Sequence, residues 1–206
     1  MRRVVITGMG AVTPIGNTVN AFLDSLQRGV SGAAPITLFD ASKFKTHFAC
    51  EVKDYTGENF LDRKEKNRHD RFSIFAMETV GQAFEDSGIN LEKEDLDRIG
   101  VIWGSGIGGL RSLEAEIEIF TLGDGTPRYN PFMIPKMIID IAAGHISIKY
   151  GLRGVNFATV SACASSTHAL STSFDYIRLN KADIIVTGGS EAAITFAGVG
   201  GFTSMK

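Results

Sequence analysis

The sequence predicts an α/β fold, and three observations carry that prediction. Apolar, β-branched runs that end at or near a glycine recur along the chain: Val4-Val5-Ile6-Thr7-Gly8, Ile99-Gly100-Val101-Ile102-Trp103-Gly104 and Ile184-Ile185-Val186-Thr187-Gly188. Other segments repeat apolar residues at three- and four-residue spacing, which marks one buried stripe of a helix. The two patterns alternate instead of falling into blocks, as strands joined by helices do.

Taken in order, Arg3–Gly8 reads as a buried strand running into a glycine turn. A helix is expected from about Thr18 to Arg28, with Val19, Phe22, Leu23 and Leu26 on one face and Gly29 beyond its end. The polar stretch from Ser31 to Asn59 reads as a surface excursion. Arg71 to Gly88 should be a second helix, directing Phe72, Phe75, Ala76, Val80 and Phe84 inward. Arg98–Trp103 is the next strand, followed by the cluster Gly104 to Gly109 and a helix to about Leu122. A loop with Gly123, Gly125, Pro127 and Pro131 precedes a helix from about Pro135 to Tyr150. An apolar strand then leads to Cys163 and a small-residue helix, and Asp183–Gly189 is a further strand. Gly198–Lys206 reads as a glycine-rich loop without a closing element, which suggests an interrupted domain. No domain linker, tandem repeat or low-complexity tract is evident.

At 206 residues, 44% apolar and 21% charged, the chain fits one sizeable globular domain with a substantial core. A net charge of −2 gives no global reason to expect nucleic-acid binding, so a basic site must be local. The two cysteines, Cys50 and Cys163, make neither a disulfide framework nor a metal-ligand set, which points to a reducing compartment. No signal-like leader or membrane-length apolar run is present, so a cytoplasmic protein is expected.

Cys163 is the candidate for chemistry. It lies at a strand-to-helix junction in Val160-Ser161-Ala162-Cys163-Ala164-Ser165. A thiol there feels the positive end of the helix dipole and several unpaired backbone N–H groups, which together favour the thiolate. The same N–H groups suit an oxyanion formed on an attacked thioester. Small neighbours leave room for a substrate, although a buried structural cysteine is the commoner fate of an isolated thiol. Gly104-Ser105-Gly106-Ile107-Gly108-Gly109 fits the G-x-G-x-x-G dinucleotide fingerprint after a strand. The later acid that the fingerprint needs, Asp124, falls in a turn instead of ending a strand, which favours a plain tight turn touching ligand through its backbone. Walker A, H-E-x-x-H and G-x-S-x-G motifs are absent.

The histidines offer Cys163 little. His168 stands five residues beyond it, about 140° around a helix and off its face. His145 lies in an apolar helical segment and reads as a packing residue, whereas His47 and His69 read as solvated.

Five ordered motifs carry a resemblance. They are Val4–Gly10 with Thr13–Asn17, Gly104–Gly109, Ala143–Gly154, Ala162-Cys163-Ala164-Ser165, and Gly198–Phe202. Together they make the whole chain similar to the elongation-type β-ketoacyl-acyl carrier protein synthases, condensing enzymes of the thiolase superfamily. The resemblance implies the N-terminal half of that domain over 1–206: a thiolase-like αβα half with a mixed five-stranded sheet and helices on both faces. It implies that Cys163 accepts an acyl group as a thioester, and that malonyl-acyl carrier protein loses CO₂ and attacks it, elongating a fatty acid. The Cys163 backbone N–H would form half of an oxyanion hole. No cofactor or metal is required by that chemistry.

The resemblance further implies that Ile107, Phe202, Met133 and Ile134 line the acyl pocket, the last two reaching toward a partner in a homodimer. The basic run Arg63–Arg71 would otherwise be read as a solvated helix face. The resemblance makes Lys64, Lys66 and Arg68, with Arg128 and Lys206, the docking residues for the acidic acyl carrier protein. The family takes two histidines, a lysine and a second phenylalanine-glycine loop from a second, duplicated half. The sequence stops before them, so the chain alone is expected to be inactive. The alternative is a non-catalytic acyl- or carrier-binding protein that retains the fold.

Overall fold

The computed structural model describes residues 2–205 apart from 56 and 58. Its elements run α1 (Val19–Gln27), β1 (Ala34–Pro35), β2 (Phe48–Ala49), α2 (Arg63–Lys66), α3 (Arg71–Ser87), β3 (Ile99–Gly104) and α4 (Leu110–Leu122). They continue α5 (Met133–Met137), α6 (Ile141–Tyr150), β4 (Asn156–Thr159), α7 (Ser165–Arg178), β5 (Ile184–Gly189) and α8 (Phe196–Ser204).

Strand β3 is buried along its whole length because it is the middle of a parallel sheet ordered β4-β3-β5. Its register sets Trp103 beside Ala158 on one side and Gly188 on the other. Side chains alternate between faces. Ile99, Val101 and Trp103 join the core formed with Phe72, Ala76, Met77 and Val80 of α3 and Ala142, Ala143 and Ile146 of α6. Helix α7 packs on β3, β4 and β5 and buries Ala169, giving helices on both faces. Trp103 Nε1 donates to Ser190 Oγ at 2.9 Å, so the one tryptophan has a partner for its polar atom.

The mixed five-stranded sheet is not found. The described residues form a three-stranded parallel sheet and a separate antiparallel β1–β2 pair of two residues each, inside the 31–59 excursion. The expected strand at Arg3–Gly8 joins no ladder, and Val5 and Ile6 are 59% and 79% exposed. The chain just beyond it is fastened to α3 instead. Met9 N donates to the Asp86 carboxylate at 2.9 Å and Ala11 N to Gln82 Oε1 at 3.0 Å. A Cβ on Gly10 would fall on the Thr79 carbonyl oxygen, so only glycine allows this approach.

Helix α3 matches expectation, with Asp70 accepting from Phe72 N at its start and Phe72, Phe75, Ala76 and Val80 buried. Helix α1 forms where expected, but Leu23 and Leu26 face solvent and Ser25 is its buried residue. The single helix expected over 135–150 is two, broken at Ile138, whose ψ of 139° is extended. Met137 O, near the break, accepts from Gly109 N at 3.2 Å and ties α5 to the glycine loop. The supposed terminal loop is helix α8. Thr195 caps it by accepting from Gly198 N, and Glu114 of α4 accepts from Thr195 Oγ1 and Ala197 N, both at 2.7 Å.

Candidate functional site

All three strands of the parallel sheet end at one edge, and the loops leaving them meet there. Open parallel sheets characteristically bind ligands beyond these carboxyl ends. β3 delivers Ser105–Gly109, β4 delivers Val160–Ala164, and β5 delivers Ser190–Ile194. Ser105 N donates to Thr159 O at 3.4 Å and Ser190 N to Gly104 O at 3.1 Å, continuing the ladder into the loops.

Cys163 sits in a 3₁₀ turn, Ala162–Ala164, that runs directly into α7, and its residue is exposed. The turn is sharp because Ala162 adopts φ 50°, a left-handed conformation rare for alanine. Three bonds hold it: Ser161 N donates to Ser165 Oγ at 2.9 Å, Ser165 Oγ to Ala162 O at 2.7 Å, and Thr159 Oγ1 to Ser165 O at 2.8 Å. These serine and threonine hydroxyls act on the backbone and leave the thiol free of them. First-turn amides of a helix lack intrahelical acceptors, and the Cys163 N–H belongs to such a turn. Cys50 is also a free, exposed thiol.

The glycine loop is occupied from within. Glu191 Oε2 accepts from Gly106 N at 2.8 Å and Ile107 N at 3.0 Å, while Ser105 Oγ reaches Glu191 Oε1 at 3.4 Å. A phosphate cradle needs those amides, so the carboxylate argues against the dinucleotide reading. Glu191 belongs to none of the sequence motifs named above. The signal was an acid just past a strand end, in Gly188-Gly189-Ser190-Glu191. Gly106 lies between this carboxylate and the cysteine turn: a Cβ there would be 3.2 Å from Glu191 Oε2 and 3.4 Å from Ala162 O.

The acyl-pocket candidates divide around this loop. Ile107 is within it and half-buried. Half-buried Met133 and exposed Ile134 begin α5, which backs onto the loop through Met137. Phe202, on α8, lines an open cavity of about 520 Å³ with Phe48, Glu191, Ile194 and Val199. A second cavity of about 290 Å³ is lined by Cys50, Glu51, Arg71, Arg111 and again Glu191. Cys163 lines neither.

His168 Nδ1 pairs with Ser161 Oγ at 2.6 Å and so belongs to the turn's scaffold. His69 is not solvated: its ring stacks on His145 with centroids 3.9 Å apart. Burial first, then the neighbouring His145, pushes His69 down to about 4, and burial lowers His145 as well. No group of three or more His, Cys, Asp or Glu suited to a metal occurs among the described residues. Nor is any described helix long and apolar enough to cross a membrane.

The sequence matches the family described as Beta-ketoacyl synthase, N-terminal domain, over residues 1–206. The chain belongs to the β-ketoacyl synthase family. It is 43% identical over 205 residues to a 3-oxoacyl-[acyl-carrier-protein] synthase 2 of Coxiella burnetii and 44% identical to one of Synechocystis, each covering all of this chain and 49% of the relative. Among solved structures, the ishigamide ketosynthase/chain length factor superposes with a TM-score of 0.90 at 25% identity, covering 99% of this chain and 51% of that one. The chain therefore spans about half the length of the curated synthases it matches.

The basic segment of this β-ketoacyl synthase domain is a four-residue helix closed by a capping box. Asp62 accepts from Glu65 N at 2.7 Å, and Glu65 accepts from Asp62 N at 2.8 Å. Lys64 and Arg68 are exposed and Lys66 half-buried. The Arg68 guanidinium stands over the Phe132 ring, 5.4 Å from its centroid, which brings α2 beside the loop carrying exposed Arg128. Lys206 lies outside the described residues.

Proposed function

We propose that this domain supplies the acyl-accepting nucleophile of a fatty-acid-elongating β-ketoacyl-acyl carrier protein synthase. The observation that carries the reading is Cys163: an exposed thiol on a strained 3₁₀ turn that runs directly into α7, beside the carboxyl ends of three parallel strands. The Cys163 thiolate attacks the acyl thioester carbonyl and the carrier's thiol leaves, forming an acyl-enzyme. Malonyl-carrier protein then loses CO₂, and its carbanion attacks the acyl-cysteine carbonyl. The new C–C bond displaces the Cys163 thiolate and leaves a β-ketoacyl product on the carrier. The Cys163 N–H faces the developing oxyanion. Ile107, Met133, Ile134 and Phe202 shape the acyl pocket, and Lys64, Lys66, Arg68, Arg128 and Lys206 meet the carrier. Family membership and relatives named 3-oxoacyl-[acyl-carrier-protein] synthase 2 support this assignment and the carrier as partner.

The test is acyl transfer from acyl-carrier protein, read by intact mass and peptide mapping. One acyl adduct on Cys163, absent in Cys163→Ala, is the expected result. Binding of acyl-carrier protein with no adduct would favour the non-catalytic alternative.

A further inference from the structure

We propose that Glu191 is a positioning residue for acyl transfer, whose carboxylate fixes the glycine loop against the Cys163 turn and so sets where Ile107 meets the acyl chain. The inference rests on Cys163 being the acyl acceptor, but the geometry behind it is independent of that reading. One oxygen, Oε2, takes the amides of two successive residues, Gly106 and Ile107, at 2.8 and 3.0 Å. Two adjacent N–H groups can converge on one acceptor only in a narrow range of backbone conformations, so the pair fixes the loop's orientation as well as its distance.

Two further links make the clamp one unit. Ser105 Oγ reaches the other carboxylate oxygen and accepts from Gly108 N at 3.2 Å, so the loop's two ends share the anchor. Gly106 then fills the narrow space between Glu191 and the Ala162 carbonyl. The loop at Gly106 is thus close to both the Glu191 carboxylate and the turn that carries Cys163. Glu191 also contributes to the walls of both cavities, including the one that Phe202 lines. With the Gly106 and Ile107 amides engaged, the loop does not offer these two donors to an oxyanion.

The experiment compares wild type with Glu191→Ala and Glu191→Gln in three measurements. Glutamine keeps an oxygen able to accept both amides, so it should restore what alanine removes. Amide hydrogen exchange over 105–109 should quicken about tenfold in Glu191→Ala and recover in Glu191→Gln. Cys163 alkylation by iodoacetamide, which needs no glycine loop, should stay within about twofold in both variants. Acylation by thioesters of graded chain length should slow about tenfold or more in Glu191→Ala, most for long chains, and largely recover in Glu191→Gln.

Unchanged exchange in Glu191→Ala would overturn the clamp. Quickened exchange with wild-type acylation would overturn its role in positioning, as would alkylation and acylation falling together, since that marks general disruption. Wild-type protein that never acylates, with exchange still quickened in Glu191→Ala, would instead sink the acyl-acceptor reading and leave the clamp standing.

Discussion

Ala162 holds a φ of 50° next to the candidate nucleophile. A left-handed conformation costs an L-residue about 1–2 kcal/mol, and such strain persists only where surrounding bonds enforce it. Here the Ser165 hydroxyl does so, gripping Ser161 N and Ala162 O together. Ala162→Gly should therefore stay within about 1 kcal/mol of wild type, because relieved strain offsets added freedom of the unfolded chain. Ala162→Val should cost about 2 kcal/mol, since a β-branched residue tolerates this conformation poorly. Urea denaturation compares the two, and equal stability of the variants would contradict the strain argument. The place of the Cys163 thiol at a strand-to-helix turn was legible in sequence because a small-residue turn before a helix is a local pattern, whereas its role was implied only by the family resemblance. The Glu191 contact was not legible, since an acid past a strand end names no partner and the amides it accepts from lie more than eighty residues away.

Between elements, close approach replaces the expected strand pairing. The segment after Arg3–Gly8 lies on α3 through two side-chain acceptors and a glycine contact, not through a ladder. Gly10→Ala should destabilise the protein by about 3 kcal/mol, because its methyl group meets the Thr79 backbone oxygen and not a flexible side chain. A thermal melt within a degree of wild type would exclude that contact. The stacked His69–His145 pair joins the stretch after α2 to α6. Facing His69 are Glu65 from α2, Lys136 from α5, and His145 and Lys149 from α6. His69 is pushed down to about 4 from an ordinary 6.5, so the unfolded chain binds the proton more readily. The pair's contribution is thus complete above pH 6.5 and is lost as pH falls through about 4. Unfolding midpoints measured from pH 7.5 to 4.5 should fall less steeply in His69→Phe, which keeps the stack without the charge. Parallel slopes would refute the assignment.

For the molecule as a whole, charge is a local matter. A net −2 coexists with a basic stretch at α2 that Arg68 and Phe132 bring beside the Arg128 loop. Such a patch chiefly steers an acidic partner's encounter and is screened by salt. In a complete synthase carrying this domain, reversing Lys64, Lys66 and Arg68 to glutamate should raise the KM for acyl-carrier protein far more than it slows chemistry, with the difference shrinking in high salt. An unchanged KM at low salt would remove this surface from carrier docking. Elsewhere the outer side of α7 leaves Leu170 and Phe174 half-exposed while Ala169 is fully buried against the sheet.

By itself the sequence determined the α/β class, the long α3 with its inward phenylalanines, and the candidate thiol at a strand-to-helix turn. These follow from periodicity and small-residue spacing, which act over a few neighbouring residues. The tertiary structure alone decided which apolar runs pair as strands, that the glycine-rich end closes as a helix under Glu114, and that Glu191 fills the glycine loop. Each depends on a hydrogen-bond partner distant in sequence. Local pattern shows that a backbone group needs a partner, but only the packed chain determines which one it finds.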